Sequence, residues 1–334
     1  MQPSPDSQPE PYVDVADRPP RSKSLLLWVV SLVTLGAIVW YLSSHWDQLE
    51  PLIQVPVEQV IVVGVLFAVG IMLNALEFWV LYRRLGAAIG IVENWLLYGA
   101  GQLLNHAPGQ VGTVYRFGYL KTVHQLSYAR SGSGYAANLL LTFLSTGVVG
   151  LIAAILMGAL HGAWSWGLVA IFSGLIVVAV AALVVHLPTT TRVGRLARTW
   201  RRFQEGWSEI TRHGQTALIV VVIELIKYSI LAMRMQLAMS WVGVDEPYAF
   251  FLVIAAATGI VSFVALTPAA IGMRELAIGF AAAALGVQFD VALLGATLDR
   301  AVMFVWVALI GGVGLIYTAR RMARARLMAA ETST

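Results

Sequence analysis

Pro108-Gly109-Gln110-Val111-Gly112 and Pro268-Ala269-Ala270-Ile271-Gly272 are the two segments on which the reading of this chain turns. Each is a Pro-x-x-x-Gly set inside a long apolar stretch, 95–126 and 249–286. Proline removes a backbone donor and glycine permits a tight turn, so each stretch reads as helix, break, helix. The arms within 95–126 are about a dozen residues, short of the roughly 20 that cross a bilayer core. Such a segment reads as a re-entrant hairpin, its backbone satisfied by surrounding protein or by a wet cavity.

The two prolines are 160 positions apart, and the apolar runs around them repeat at a similar offset. Runs 60–82 and 216–241 precede the hairpins; runs 135–160 and 290–318 follow them. With 24–43 and 167–187 these make six full spans plus two broken hairpins. The expected fold is therefore all-α: a polytopic helical membrane protein built as a repeat, residues 24–160 and 161–318. An odd number of full crossings per unit inverts the second copy, so the hairpins enter from opposite sides. Paired broken helices in inverted repeats place a transport site near the midplane. Residues 1–23, with six prolines and four acids, read as a disordered tail. Span 24–43 has no small-residue cleavage site after it and reads as a retained anchor.

Composition agrees. Of 334 residues, 58% are hydrophobic and 12% charged, against about 25% charged in a soluble domain. That excludes an ordinary soluble enzyme and a nucleic-acid-binding domain, and zero cysteines exclude disulfides and thiolate metal sites. Lys and Arg fall on one side: Arg18, Arg21 and Lys23, Arg83 and Arg84, Arg116, Lys121 and Arg130, the 192–212 arginines, and Arg320 to Arg326. Loops 44–59, 161–166 and 242–248 have none. By the positive-inside rule both termini are expected in the cytoplasm, in the cell membrane. Segment 192–213 places Leu196, Trp200, Phe203, Trp207 and Ile210 on one helical face, with arginines off it. Trp200, Phe203 and Trp207 are expected to rest on the membrane surface. Ser131-Gly132-Ser133-Gly134 reads as the loop before 135–160, and 319–334 as a basic tail.

The remaining cations, Lys227, Arg234, Arg274 and Arg300, lie inside apolar runs with Glu77, Glu224, Glu275 and Asp299. Each charge at mid-bilayer costs about 2.5–3.5 kcal/mol on insertion scales, so they must pair or face a wet cavity. Glu224 and Lys227 are i,i+3 on one helix; Arg274-Glu275 and Asp299-Arg300 are adjacent and need outside partners. Arg116 and Arg274 follow the two glycines, Gly112 and Gly272. A guanidinium beside a restarting helix suits a phosphate, with the free N–H groups and positive dipole end of the helix adding to it. Arg116 and Arg274, with Pro108, Gly112, Pro268, Gly272 and Glu275, are the expected headgroup site. Glu77, Glu224, Lys227, Arg234, Asp299 and Arg300 form the charged network around it, with a gate or proton-coupling role open to Glu224, Lys227 and Arg234. Asn74 and His106 are further lining candidates.

The run Asn105 to Arg116 and the run Pro268 to Glu275 resemble the two signatures of the lysylphosphatidylglycerol synthase transmembrane, flippase-like family, over about residues 24–320. Asp299-Arg300 matches its last-span arginine, while Thr113 and Gln110 depart from the usual acid and arginine. The resemblance implies a lipid translocase domain of the type that moves aminoacylated phosphatidylglycerol between leaflets, with stand-alone members tied to hopanoid and other lipid pathways. No synthetase domain follows residue 320, so the chain is expected not to make such lipids itself. No hydrolase, zinc or nucleotide-binding motif occurs, and neither cofactor nor metal is expected. The expectation is a flippase for a phosphate-bearing lipid, with membrane lipids as partners. Two alternatives stay open: a membrane lipid-modifying enzyme using Glu275 or Asp299 as base, and a non-transporting partner of a synthase or glycosyltransferase.

Overall fold

The computed structural model describes residues 54–107, 110–184, 195–211, 213–264, 270 and 272–331. Tail 1–23, span 24–43, Pro108 and Pro268 lie outside them. The described residues form ten helices and no strands. The first unit contains α1 (Val57–Arg84), α2 (Ile91–Leu104), α3 (Val111–His124) and α4 (Tyr128–His161). Then come α5 (Trp166–Val184) and α6 (Arg195–Thr211). The second unit contains α7 (Gly214–Ser240), α8 (Tyr248–Val264), α9 (Met273–Ala283) and α10 (Phe289–Glu331). Four helices, α1, α4, α7 and α10, are long and apolar enough to cross a membrane. Helix α5 is a shorter apolar helix, and residues 185–187 of its expected span are not described.

Each expected hairpin is a pair of short helices, α2–α3 and α8–α9, lying between two long ones. Their turns share an unusual feature at the same register. Gln110 and Ala270 both take left-handed backbone, φ 52° and 54°. This conformation is costly for residues with a Cβ, so a fixed surrounding structure must hold it.

The helix directions show the inversion. Gln59 near the start of α1 bonds Trp241 at the end of α7 (2.8 Å), whereas Glu77 near the end of α1 meets Lys227 midway along α7 (3.0 Å). These two equivalent helices are antiparallel. In contrast, Thr142 and Thr146 of α4 bond Glu224 and Tyr228 of α7 in step, so α4 and α7 run parallel. Packing is exchanged between units: α2 lies on α10, and α8 lies on α4. The α2–α10 seam depends on glycine, because a Cβ at Gly314 would overlap the Leu96 carbonyl. Long apolar side chains such as Val65 and Met72 on α1, and Val222 and Met233 on α7, stay exposed on the outside of the bundle, as a lipid-facing surface requires.

Three expectations change. Ser131 and Ser133 are fully buried within α4, whose start is capped by Ser127 accepting from the Arg130 N–H. The 131–134 run is helix because Ser127 offers the N-cap four residues earlier. Gly206 of α6 sits against Ser133, where a Cβ would collide with the hydroxyl. Accordingly α6 docks on α4, and Trp207 (9% exposed) and Ile210 (1%) join the protein core, so Trp207 is not a membrane-surface residue. Their apolar stripe is satisfied by protein. Trp200 is half-buried, and the side chain of Phe203 is not described. Lastly, the basic tail expected at 319–334 continues α10 as helix to Glu331.

Candidate functional site

The two units enclose a cavity of about 650 Å³. Asn74 of α1, Tyr98 of α2, Arg116 of α3, Asn138 of α4, Lys227 of α7, Thr258 of α8, Arg274 of α9 and Arg300 of α10 all line it, so every element of the repeat contributes. The left-handed residues Gln110 and Ala270 also reach its wall, which puts both hairpin turns at the cavity. His106 lines it as well, its ring against Phe304.

Intramembrane charges are assembled into separate groups. Asp299, fully buried, holds two arginines: Arg234 through Nε (2.9 Å) and Arg274 through Nη2 (2.9 Å). Glu275 pairs with Arg300, so the adjacent-residue pairs do find partners across α9 and α10. Lys227 sits between Glu77 (3.0 Å) and Glu224 (2.8 Å), both without exposed side-chain surface. Asn74 accepts a further hydrogen bond from the Lys227 ammonium (3.3 Å).

Arg116 differs from all of these. It is 5% exposed and has no carboxylate within ion-pair distance among the described residues. Its guanidinium lies over the Phe78 ring (4.1 Å to the centroid) and the Tyr98 ring (5.0 Å), and donates to the Tyr82 hydroxyl (3.3 Å). Aromatic faces stabilise a cation but do not neutralise it. The cations Arg116, Lys227, Arg234, Arg274 and Arg300 thus face four carboxylates: the Asp299 group carries one positive charge in excess, the Lys227 group one negative, and Arg116 is the cation with no carboxylate partner among the described residues.

The two hairpins are therefore unequal. At α9, the Glu275 carboxylate turns back to accept the Gly272 N–H (2.9 Å), the acid's half of a capping box. An acid of the chain itself occupies the helix start where an outside anion was anticipated. Gly272 is exposed with φ 82°, the conformation that glycine tolerates. Helix α3 has no acid in its first turn, and Gln110 gives it no side-chain cap. Gly112 is buried against the Gly101 carbonyl and does not line the cavity; it lets α3 lie close to α2 and so sets the depth of Arg116. Pro108 and Pro268 precede these turns outside the described residues. The sequence thus placed Arg116 and Arg274 at one cavity, where Arg274 shares the Asp299 carboxylate with Arg234 and Arg116 has no carboxylate partner among the described residues.

Sequence reasoning passed over two groups. Asn138 is 8% exposed, lines the cavity, and its Oδ1 has no partner. Its spacing to Thr142, one helical turn along an apolar run, was the available signal. The second group is at the basic end of the bundle. There Glu93 accepts from Tyr119 (2.5 Å), His124 (2.8 Å) and Arg321 (2.9 Å), tying the first hairpin to the end of α10.

A family model for the lysylphosphatidylglycerol synthase TM region matches residues 26–312. The chain belongs to that family. The match begins ahead of α1, runs through both hairpins and ends within α10, so the whole cavity lies inside the family region. No curated protein matches the chain, and no solved structure does. As a member of the family it is a membrane protein with a lipid-related role.

Proposed function

We propose that this protein moves a phosphate-bearing lipid between the leaflets of the cell membrane, with both termini cytoplasmic, and does not itself modify the lipid. The observation that carries the reading is Arg116: a buried guanidinium without a carboxylate, in a cavity of about 650 Å³ between inverted repeats. That volume is typical of ligand pockets and suits a headgroup. A phosphate oxygen matches the fork of a guanidinium and supplies the missing counter-charge. Inverted repeats with broken helices support alternating access, in which the units rock around a fixed site. Gathering of Arg83, Arg84 and Arg321 at one end of the bundle supports the orientation.

The test is leaflet exchange of a fluorescent phosphatidyl lipid in sealed proteoliposomes. A hydrogen bond to a charged group is worth about 1.5–3 kcal/mol, so Arg116→Ala should slow exchange by roughly 10–100-fold while the protein still folds. Arg116→Ala exchanging at the wild-type rate would exclude the phosphate site. Conversion of lipid to a new product by detergent-solubilised protein would instead favour an enzyme.

A further inference from the structure

We propose that Glu77 and Glu224 form a proton site that couples proton movement to lipid movement, an inference that rests on the transport reading above. Two carboxylates share the single ammonium of Lys227, at 3.0 Å from Glu77 and 2.8 Å from Glu224. Both acids have no exposed side-chain surface, and Lys227 has 15%. With both acids ionised, this group holds one uncompensated negative charge away from water. Two carboxylates crowded on one cation repel each other, and a proton on either relieves that repulsion.

The hydrogen bonds show where a proton fits. Both oxygens of Glu77 accept from Lys227, at 3.0 and 3.2 Å. On Glu224, Oε1 is taken by Lys227 and by the Thr142 hydroxyl, whereas Oε2 is buried with no partner among the described residues. A buried acceptor left empty is costly, and a proton on that carboxyl leaves Lys227 with one anion, Glu77, to balance. The groups facing the pair are Lys227 and Tyr228 from α7, Thr142 from α4, Asn74 from α1 and the Tyr98 phenol from α2. The next cation beyond Tyr98 is Arg116. Of these, Asn74, Tyr98, Thr142, Lys227 and Tyr228 line the cavity, while both acids lie behind that lining. Cavity water thus reaches the acids through Thr142 and Lys227. The proton is taken from that water by a carboxylate oxygen and returned to water when the cavity opens on the other side; no bond other than O–H changes.

The charge arithmetic links this site to Arg116. A phosphodiester headgroup brings one negative charge to Arg116, and one proton on the acid pair removes one negative charge beside Lys227. The loaded cavity then carries the same net charge as the empty one with the pair ionised. One proton travelling with one monoanionic phosphodiester makes the loaded step electrically silent.

The experiment is leaflet exchange of a phosphatidyl lipid in proteoliposomes with an imposed pH gradient, with and without a protonophore, for wild type, Glu224→Gln and Glu77→Gln. Wild-type exchange should accelerate down the proton gradient, and the protonophore should abolish the gain. At least one of the two variants should exchange without responding to the gradient. Gradient-independent wild-type exchange would overturn the proton site and leave transport standing. An absence of any exchange would overturn transport. For that case a separate measurement decides the proton site: infrared spectra of the purified protein stepped through the neutral pH range should show a buried carboxylic-acid carbonyl band that Glu224→Gln or Glu77→Gln deletes. A band absent from wild type, or unchanged in both variants, refutes the proposal.

Discussion

Asp299→Asn gives the sharpest test of how the charges are partitioned. Asp299 is fully buried and is the carboxylate for two cations at once, Arg234 through Nε at 2.9 Å and Arg274 through Nη2 at 2.9 Å. The substitution keeps the shape and removes the charge. Two guanidiniums then face each other across an amide, and breaking one buried pair already costs about 3–5 kcal/mol. At about 2–4 °C per kcal/mol for a chain of moderate size, thermal unfolding in detergent should fall by roughly 10 °C. The partition makes a second demand. Both arginines also touch the Met303 sulfur, at 3.4 Å from Arg234 and 2.8 Å from Arg274, so a methionine at 234 has an apolar neighbour ready. Arg234→Met added to Asp299→Asn removes the surplus charge and should recover part of the loss, a positive coupling of about 0.5–3 kcal/mol. Purely additive losses, or an Asp299→Asn protein that melts within about 2 °C of wild type, would show that the ion cluster does not hold α7, α9 and α10 together.

Two further outcomes follow from the hairpin geometry. Gly112→Ala forces a Cβ into the Gly101 carbonyl, so α3 must move off α2; overpacking of this kind costs about 1–3 kcal/mol, and lipid exchange should fall with little loss of helical circular dichroism. Wild-type exchange by this variant would show that the close approach does not set the position of Arg116. Glu93 is at the start of a helix too short to span, where burial pushes its carboxyl up but hydrogen bonds from His124 and Tyr119 outweigh this and hold it below the usual range. A carboxylate held low stabilises the fold above its unfolded value of about 4.3 and ceases to do so as the pH falls through the folded value. Glu93→Gln should therefore lower stability by about 1 kcal/mol at neutral pH, and the difference from wild type should vanish in acid thermal scans. An undiminished difference in acid would mean the loss is steric.

The repeat was legible because its signals are local. Proline and glycine mark a break wherever they fall in an apolar run, and a constant offset needs no knowledge of contacts. The left-handed Gln110 and Ala270 bear this out at matched positions, although neither residue type announces that conformation. Boundaries were less legible. Ser131 and Ser133 look like loop by composition, but Ser127 starts the helix earlier and α6 covers them. For the same reason the Trp207 stripe was ambiguous: an apolar helical face specifies burial, and sequence does not say whether lipid or protein supplies it.

The site shows a similar division between composition and partnership. A count of charges in apolar runs found the four acids with Lys227, Arg234, Arg274 and Arg300, since membrane insertion makes each one conspicuous, whereas Arg116 was found by its place after Gly112. Which cation is left over could not be counted, because pairing runs between helices distant in sequence: Glu77 with Lys227, Arg274 with Asp299, Glu275 with Arg300. Two arginines that look equivalent beside two matching glycines end in opposite circumstances. Arg274 is held by Asp299, and the start of its helix is closed by Glu275. Arg116 lies over aromatic rings and donates to a phenol, with no carboxylate partner among the described residues. The inverted repeat supplies two similar cradles, and the acids on α9 and α10 close one of them. That asymmetry leaves Arg116, on the α3 half, as the cavity-lining cation without a carboxylate partner among the described residues.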